Sequence, residues 1–224
     1  MTKKLCAVLV LIIFAVGGLA AADFAFSVGT GYYLSGDFGG GFETSSLLTM
    51  QKKMKTPYFG GGGFVFIDAT YAELSLGFFG GGGKTEISSS GMIGQIVRLD
   101  LSIINLNIGL LSKYPFKVGR RISIFPLLGI DYQVTIFAKI DNEVLLLGTA
   151  LNPIELSALW FKNGIGADFG ITDHLFLRSV FLYGLRIPNK FEKDMRDLAE
   201  MSGAIADTRL GHGLTIKIAL GYKF

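Results

Sequence analysis

The C-terminal segment constrains the fold most. Leu214, Ile216, Ile218, Leu220, Tyr222 and Phe224 alternate without a break with Gly213, Thr215, Lys217, Ala219, Gly221 and Lys223. A period of two places each set on its own face of a β-strand, so the two faces meet different surroundings. The same alternation recurs upstream. Phe24, Phe26, Val28, Thr30, Tyr32 and Leu34 share a face, and so do Val65 and Ile67, then Leu74, Leu76 and Phe78 after a turn near Ala69-Thr70. Val97, Leu99, Leu101 and Ile103 continue in changed phase as Leu106, Ile108 and Leu110, which predicts a bulge near Ile104-Asn105. Ile122 to Ile136 alternate with small and polar residues, interrupted by Pro126, where a bulge or irregular pair is expected because proline donates nothing to a ladder. Leu159, Phe161, Ile165, Ala167, Phe169 and Ile171 form a further face, followed by Leu175, Leu177, Phe181, Tyr183 and Leu185. About eight strands result.

The links between them alternate in length. Long ones fall near 36–58, 81–94, 139–155 and 187–211, and short ones near 69–70, 112–121 and 172–174. The last long link, Asn189 to Ser202, is read as a solvated loop with helical propensity. Half of all residues are hydrophobic and mean hydropathy is +0.48, yet past the N-terminus no apolar run reaches the ~18 residues of a membrane helix. High but dispersed apolar content, with long links on one side and short ones on the other, predicts an all-β fold: a transmembrane up-and-down antiparallel barrel. A soluble lipocalin-like barrel keeps its apolar face inside and has no reason to sort its loops by end. Here the second face is mainly Gly, Ser, Thr and Ala with scattered charges of both signs, which suits a narrow lumen filled by side chains. Many of the 31 glycines lie on that face or in the runs Gly60–Gly63 and Gly80–Gly83. Neither run leads into Gly-Lys-Ser/Thr or a helix, so neither reads as a phosphate loop.

The N-terminus reads as a cleavable export signal over residues 1–22. Lys3 and Lys4 precede an apolar core from Leu5 to Val16, Gly17-Gly18 breaks it, and Ala20-Ala21-Ala22 offers the cleavage site. The barrel domain is then 23–224. Cys6, the single cysteine, leaves with the signal, so the mature chain has no disulfide or thiolate chemistry. The formal charge of +3 falls to +1 once the two lysines of residues 1–22 are removed, since that segment has no acids. A chain so balanced, with no basic patch interleaved with aromatics, is not expected to bind nucleic acid.

Catalytic and metal signatures are sparse. His174 falls in a short link and His212 at the far end of the last strand, so the two are expected on opposite membrane sides and cannot share a metal. Lipid A deacylases of the PagL type pair a His with a nearby Ser, but Gly213, Leu214 and Thr215 follow His212, and no Gly-x-Ser-x-Gly occurs. No catalytic residue, metal site or cofactor is assigned.

The lumen face supplies the one constellation of charge. Arg98, Asp100, Asp131, Lys162, Asp168, Arg178 and Lys217 are expected to point inward. Mixed signs suit an ion-selective constriction or a paired network that plugs the barrel, and at eight strands the plug is the better fit. If Thr172, Asp173 and His174 form the turn, Ile171 meets Leu175 and Asp168 meets Arg178. Phe64, Phe66, Phe125, Leu127 and Phe176 cluster toward the short-link end, where they are expected to floor the lumen, the other reading being that they line a path for an apolar ligand.

The strand ending Tyr222-Lys223-Phe224 resembles the C-terminal sorting strand of bacterial outer-membrane barrels, which implies the barrel-assembly machinery as a partner. The chain from 23 to 224 resembles the small eight-stranded barrels of the OmpX and OmpW group. The stretch DATYAELSLGFF at 68–79, KYPF at 113–116 and FPLLGIDY at 125–132 look like spirochaetal outer-membrane barrels. The resemblance implies an outer-membrane location in contact with lipid, with both termini periplasmic. Its first functional reading is a non-enzymatic barrel serving as a narrow conduit for small apolar molecules. The alternative is a surface interaction protein or adhesin that meets an extracellular ligand through its long loops. An outer-membrane lipid hydrolase stands third.

Overall fold

The computed structural model describes residues 25–38, 41–46, 51–55, 57–90, 95–140, 143–144, 157–188, 193–194, 197, 200–201, 204–209 and 211–224. The export signal and its cleavage site lie outside the described residues. In chain order the strands are β1 (Phe26–Asp37), β2 (Gly41–Ser46), β3 (Gln51–Lys55), β4 (Tyr58–Ala69), β5 (Ala72–Ser90), β6 (Gln95–Lys113), β7 (Phe116–Lys117), β8 (Ile122–Ile140), β9 (Glu143–Val144), β10 (Ala158–Gly170), β11 (Leu175–Ile187), β12 (Ala204–Arg209) and β13 (Gly211–Lys223).

Eight of them close an antiparallel barrel in the order β1, β4, β5, β6, β8, β10, β11, β13, with β13 returning to β1 from Ser27↔Lys223 to Asp37↔Gly213. This is the eight-stranded up-and-down barrel that the alternation predicts. The outward positions of β1 and β13 show why the sequence takes this form. Val28, Tyr32, Leu34, Leu214, Ile216, Ile218, Leu220 and Tyr222 are all exposed, while Ser27, Tyr33, Thr215, Lys217 and Ala219 are buried between them. An exposed apolar exterior around a partly charged interior is the inverse of a soluble barrel and the pattern of one that spans lipid.

The links sort by end. At one end lie Thr70-Tyr71, residues 114–121 and residues 171–174. At the other end the described wall rises past the barrel. There β12 pairs with β2, β2 with β3, and β3 with the outer part of β5, which itself pairs with β6 out to Ser89↔Gln95. In the last long link the described residues Lys193, Asp194, Asp197, Glu200 and Met201 are helical, where a loop is expected from the sequence.

Two expectations about local irregularity are corrected. The register does shift between Ile104 and Asn105, but the extra residue is Ile136 on β8: Ile104 pairs with Phe137 and Asn105 with Thr135. β6 therefore keeps one phase. Leu101, Ile103, Asn105, Leu111 and Lys113 are all buried, and the apolar run Leu101-Ile103 faces inward instead of outward. Alternation marks two faces without saying which is which, and in the upper lumen the inner face is itself apolar. At Pro126 there is no bulge: it pairs in regular register with Ile165. On the other side of β8 the ladder is already interrupted, because β6 pairs from Leu127 upward and β7 pairs only with Ser123 and Ile124.

The glycine runs face each other. Gly60 lies opposite Gly81 and Gly61 opposite Gly80, so β4 and β5 meet glycine to glycine over this stretch. A Cβ on Gly62 would sit 1.6 Å from the Phe78 carbonyl oxygen, whereas one on Gly80 would meet nothing within 4 Å. Backbone cannot yield as a flexible side chain can. Gly62→Ala is expected to cost upward of about 3 kcal/mol and to abolish most folded protein, read as loss of the heat-modifiable band on unheated SDS gels. Gly80→Ala is expected to fold normally. Equal yields of the two variants would contradict this close approach.

Candidate functional site: a charged plug in the lumen

Arg178 on β11 is a charge buried in the lumen, 1% exposed. The turn 171–174 fixes its position. Thr172 Oγ1 accepts from the Leu175 amide at 2.9 Å, Ile171 N–H donates to the Leu175 carbonyl at 2.8 Å, and the ladder then sets Asp168 opposite Arg178. Arg178 Nε donates to Asp168 Oδ1 at 2.7 Å and Nη2 to Oδ2 at 2.8 Å, a bidentate pair across adjacent strands. The other end of the guanidinium crosses the lumen. Nη1 donates to Glu73 Oε2 at 2.7 Å and Nη2 to Asp68 Oδ2 at 2.5 Å. Glu73 stands on β5, four strands from β11 around a ring of eight, so this one side chain ties opposite walls together.

Aromatic rings complete the cage. The guanidinium carbon lies 4.7 Å from the centre of Phe66, 5.1 Å from Phe176 and 5.3 Å from Phe125. Each ring occupies space that a missing Cβ leaves open. A Cβ on Gly29 would fall 2.3 Å from Phe66, one on Gly166 2.3 Å from Phe125, and one on Gly221 2.2 Å from Phe176. Lys113 forms an ion pair with Asp68 and lies 4.7 Å above Phe125; Lys217 lies 5.0 Å above Phe64 and 3.9 Å from Glu73. Lys113, Arg178 and Lys217 thus face Asp68, Glu73 and Asp168, three charges of each sign. Removing a charge from water costs several kcal/mol, and only direct pairing with hydrogen bonds offsets it. Cation–π contact adds about 2 kcal/mol or more where water is excluded.

Above this plug the lumen stays filled. Lys162 donates to Asp131 Oδ2 at 2.5 Å, and the Trp160 indole donates to Gln133 Oε1 at 2.8 Å. Tyr33 stacks on Phe79 at 6.0 Å and accepts from Asn107 Nδ2 at 2.8 Å. Higher still, Arg186 Nε lies 3.2 Å from Asp37 Oδ2. Among the described residues, small cavities of about 10 Å³ each, room for one water, lie at the level of Asn107, Asp131 and Lys162. Asn107 Oδ1 and Asp131 Oδ1 are buried without a protein donor and border both cavities, so a water is the group that fits there.

Of the residues expected inward from the sequence, Asp131, Lys162, Asp168, Arg178 and Lys217 are buried in the lumen. Asp100 is not: it is exposed, opposite Lys84 on the extension of β5 and β6 beyond the barrel, because β6 keeps its phase. Arg98 pairs with Glu86 in the same extension, and its side chain lies outside the described residues. The sequence reading missed Asp37, Asp68, Glu73, Lys113 and Arg186. Asp68 and Glu73 flank the β4–β5 turn and read as turn residues, yet one more step of the Phe64, Phe66 alternation, or one step back from Ser75, puts both inward. The two histidines lie at opposite ends. His174 stacks on Tyr222 at 5.5 Å, and His212 Nδ1 lies 2.5 Å from the Tyr183 hydroxyl. Among the described residues no three His, Cys, Asp or Glu side chains are placed to hold a metal ion.

No known protein family and no curated protein matches the chain. Solved structures do. The outer membrane protein OprG from Pseudomonas aeruginosa is similar over 90% of this chain and 96% of its own, at 11% identity and a TM-score of 0.45. Ail, the attachment invasion locus protein of Yersinia pestis, is similar over 91% and 100% at 14% identity and a TM-score of 0.35. The outer membrane protease OmpT from Escherichia coli is similar over 91% and 99% at 8% identity and a TM-score of 0.44.

The plug makes a quantitative prediction. Arg178→Ala leaves three buried carboxylates short of a partner and is expected to cost roughly 3–5 kcal/mol. In an Asp168→Ala background the same change should cost about 1–3 kcal/mol less, because the bidentate partner has already gone. Urea unfolding in lipid vesicles measures the cycle. A coupling near zero would contradict the pairing.

Proposed function

We propose that this chain is an outer-membrane interaction protein: a sealed barrel that anchors, at the cell surface, a β-sheet for binding an extracellular ligand. The observation that carries the reading is the filled lumen. A route for solute along the axis needs connected space, and among the described residues the lumen is crossed by a neutral six-charge plug with cavities of about one water each above it. A conduit for small apolar molecules along that axis would require Phe66, Phe125, Phe176 and Arg178 to leave together.

The outer surface supports the location. From Phe26 to Leu34 on β1 and from Leu214 to Tyr222 on β13, no outward position is charged, and each run spans nine residues, the length a tilted strand needs to cross the hydrocarbon. At the depth of these runs, the other barrel strands carry apolar outward positions too, among them Val65, Ile67, Ile108, Leu128, Ile165 and Phe181. Long links gathered at one end favour that end as the cell surface, with the short links and both chain ends in the periplasm.

The binding surface in this reading is the raised wall. It ends laterally at β12, which among the described residues pairs only with β2. An open strand edge is a template for an extended segment of a partner, which adds to the ladder through main-chain hydrogen bonds.

In planar bilayers the whole protein is expected to insert without unitary conductance steps. On intact cells, cysteines placed at Ser89 or Glu143 should react with an impermeant maleimide, and one at Lys117 should react only after the outer membrane is opened. Reproducible steps from the unaltered protein would return the conduit reading, and labelling of Lys117→Cys on intact cells would overturn the orientation.

A further inference from the structure

On the outer face of the barrel, two neighbouring rungs of side chains leave a furrow between them. One rung crosses five strands, from Leu175 on β11 through Tyr222, Val28 and Ile67 to Leu74 on β5. The next runs through Leu220, Thr30, Val65 and Leu76. Between the two rungs lies a floor of Gly221, Gly29 and Phe66, paired in that order. The furrow encloses about 690 Å³, a volume within the range of pockets that hold small molecules. Thr30 Oγ1 donates to the Phe64 carbonyl at 3.0 Å, so this hydroxyl is taken up by backbone and the walls around it are apolar.

The furrow is inclined, and its two ends differ. Followed around the ring, the rung through Val28 passes Leu110, Phe161 and His212 and returns beside β1 at Phe38, whose N–H donates to the His212 carbonyl at 2.7 Å. Each circuit therefore climbs toward the long-link end, in the direction from β11 through β1 to β5. Five strands about 4.8 Å apart make the furrow about 19 Å long, and at the ~40° strand tilt of such barrels it rises by about 12 Å. Its lower end is Leu175, the first residue of β11, next to exposed Thr172, Asp173 and His174. Its upper end runs onto Leu110 and Ile108 of β6.

We propose that this furrow is a binding site for one acyl chain of a phospholipid in the periplasmic leaflet, with the headgroup beside the turn 171–174 and the chain running up toward β5. The inference rests on the membrane-spanning reading above. A rise of about 12 Å suits a chain of one leaflet, which covers about half of the ~30 Å hydrocarbon core. Inside lipid no hydrophobic effect draws a chain to protein. Dispersion does, because a chain in the furrow touches fixed atoms on three sides in place of mobile neighbours. The polar lower end and the apolar upper end decide which way the amphiphile lies.

Phosphatidylcholine nanodiscs test it when a small fraction of the lipid carries a photoreactive diazirine in one acyl chain. Adducts on the whole protein are mapped by mass spectrometry. With the diazirine at the chain end, Leu74 and Leu76 should be labelled on the order of five-fold more than Leu128 and Ile165. Those two lie at similar depth on β8 and β10 and are as exposed. With the diazirine close to the headgroup, the excess should move to Leu175 and Tyr222. Thr30→Phe and, separately, Val28→Phe put a ring into the furrow, and each should remove the excess while keeping the heat-modifiable band. Even labelling around the barrel, an excess that stays in place between the two probes, or one undiminished in both variants would overturn the furrow site alone. Failure of the unaltered protein to enter nanodiscs would overturn the membrane-spanning reading and this site with it.

Discussion

A guanidinium at the centre of an eight-stranded barrel has to be neutralised from every side, and much of this structure follows from that requirement. No single strand can supply the partners. Asp168 comes from the neighbouring strand, while Asp68 and Glu73 come from the hairpin across the lumen. Arg178 therefore acts as a cross-brace. In a barrel this narrow, an interaction joining opposite walls holds its cross-section as well as its charge balance. Burial makes the brace costly to break from one side and strong when complete.

The same residues explain the composition. Rings as large as phenylalanine fit around Arg178 only where the facing strand lacks a side chain, and Gly29, Gly166 and Gly221 provide those places. The inner glycines are thus matched to inner aromatics, large against small, as a dry lumen packed to interior density demands. Higher up, the paired runs Gly60–Gly63 and Gly80–Gly83 serve a different purpose and bring two backbones together. What the interior gains in closure it loses in passage, which is why the reading of function moves from the lumen to the sheet raised above it.

Much of this was legible in the sequence, and the exceptions have physical causes. Period-two alternation revealed the eight strands, and the three-residue turn after Ile171 set Asp168 against Arg178 by counting alone. It did not reveal Asp68 and Glu73, because polar residues beside a turn look the same whether they face solvent or lumen. Asp100 was misplaced for a related reason. Leu101 and Ile103 have the look of a lipid-facing pair, but they pack inside with Phe79 and Ala138, and the bulge that appears to belong to β6 is carried by Ile136 on β8. A single strand's pattern cannot say which partner holds the extra residue. Strands β2, β3 and β12 were equally hidden, since short polar segments carry no alternation between apolar and polar faces.

A plugged lumen requires Arg178 to be sealed away from water in the folded barrel. Proton exchange at its Nε–H, followed by nitrogen-resolved NMR of the protein in bilayers, measures this directly, with exposed Arg120 and Arg121 as internal references. A guanidinium held by three carboxylates under three rings should keep its Nε–H signal at pH values where those of Arg120 and Arg121 are lost to exchange, and should exchange slower by orders of magnitude. Exchange as fast as at the two exposed arginines would mean that water reaches the centre of the barrel, and that the lumen is not the plug described here.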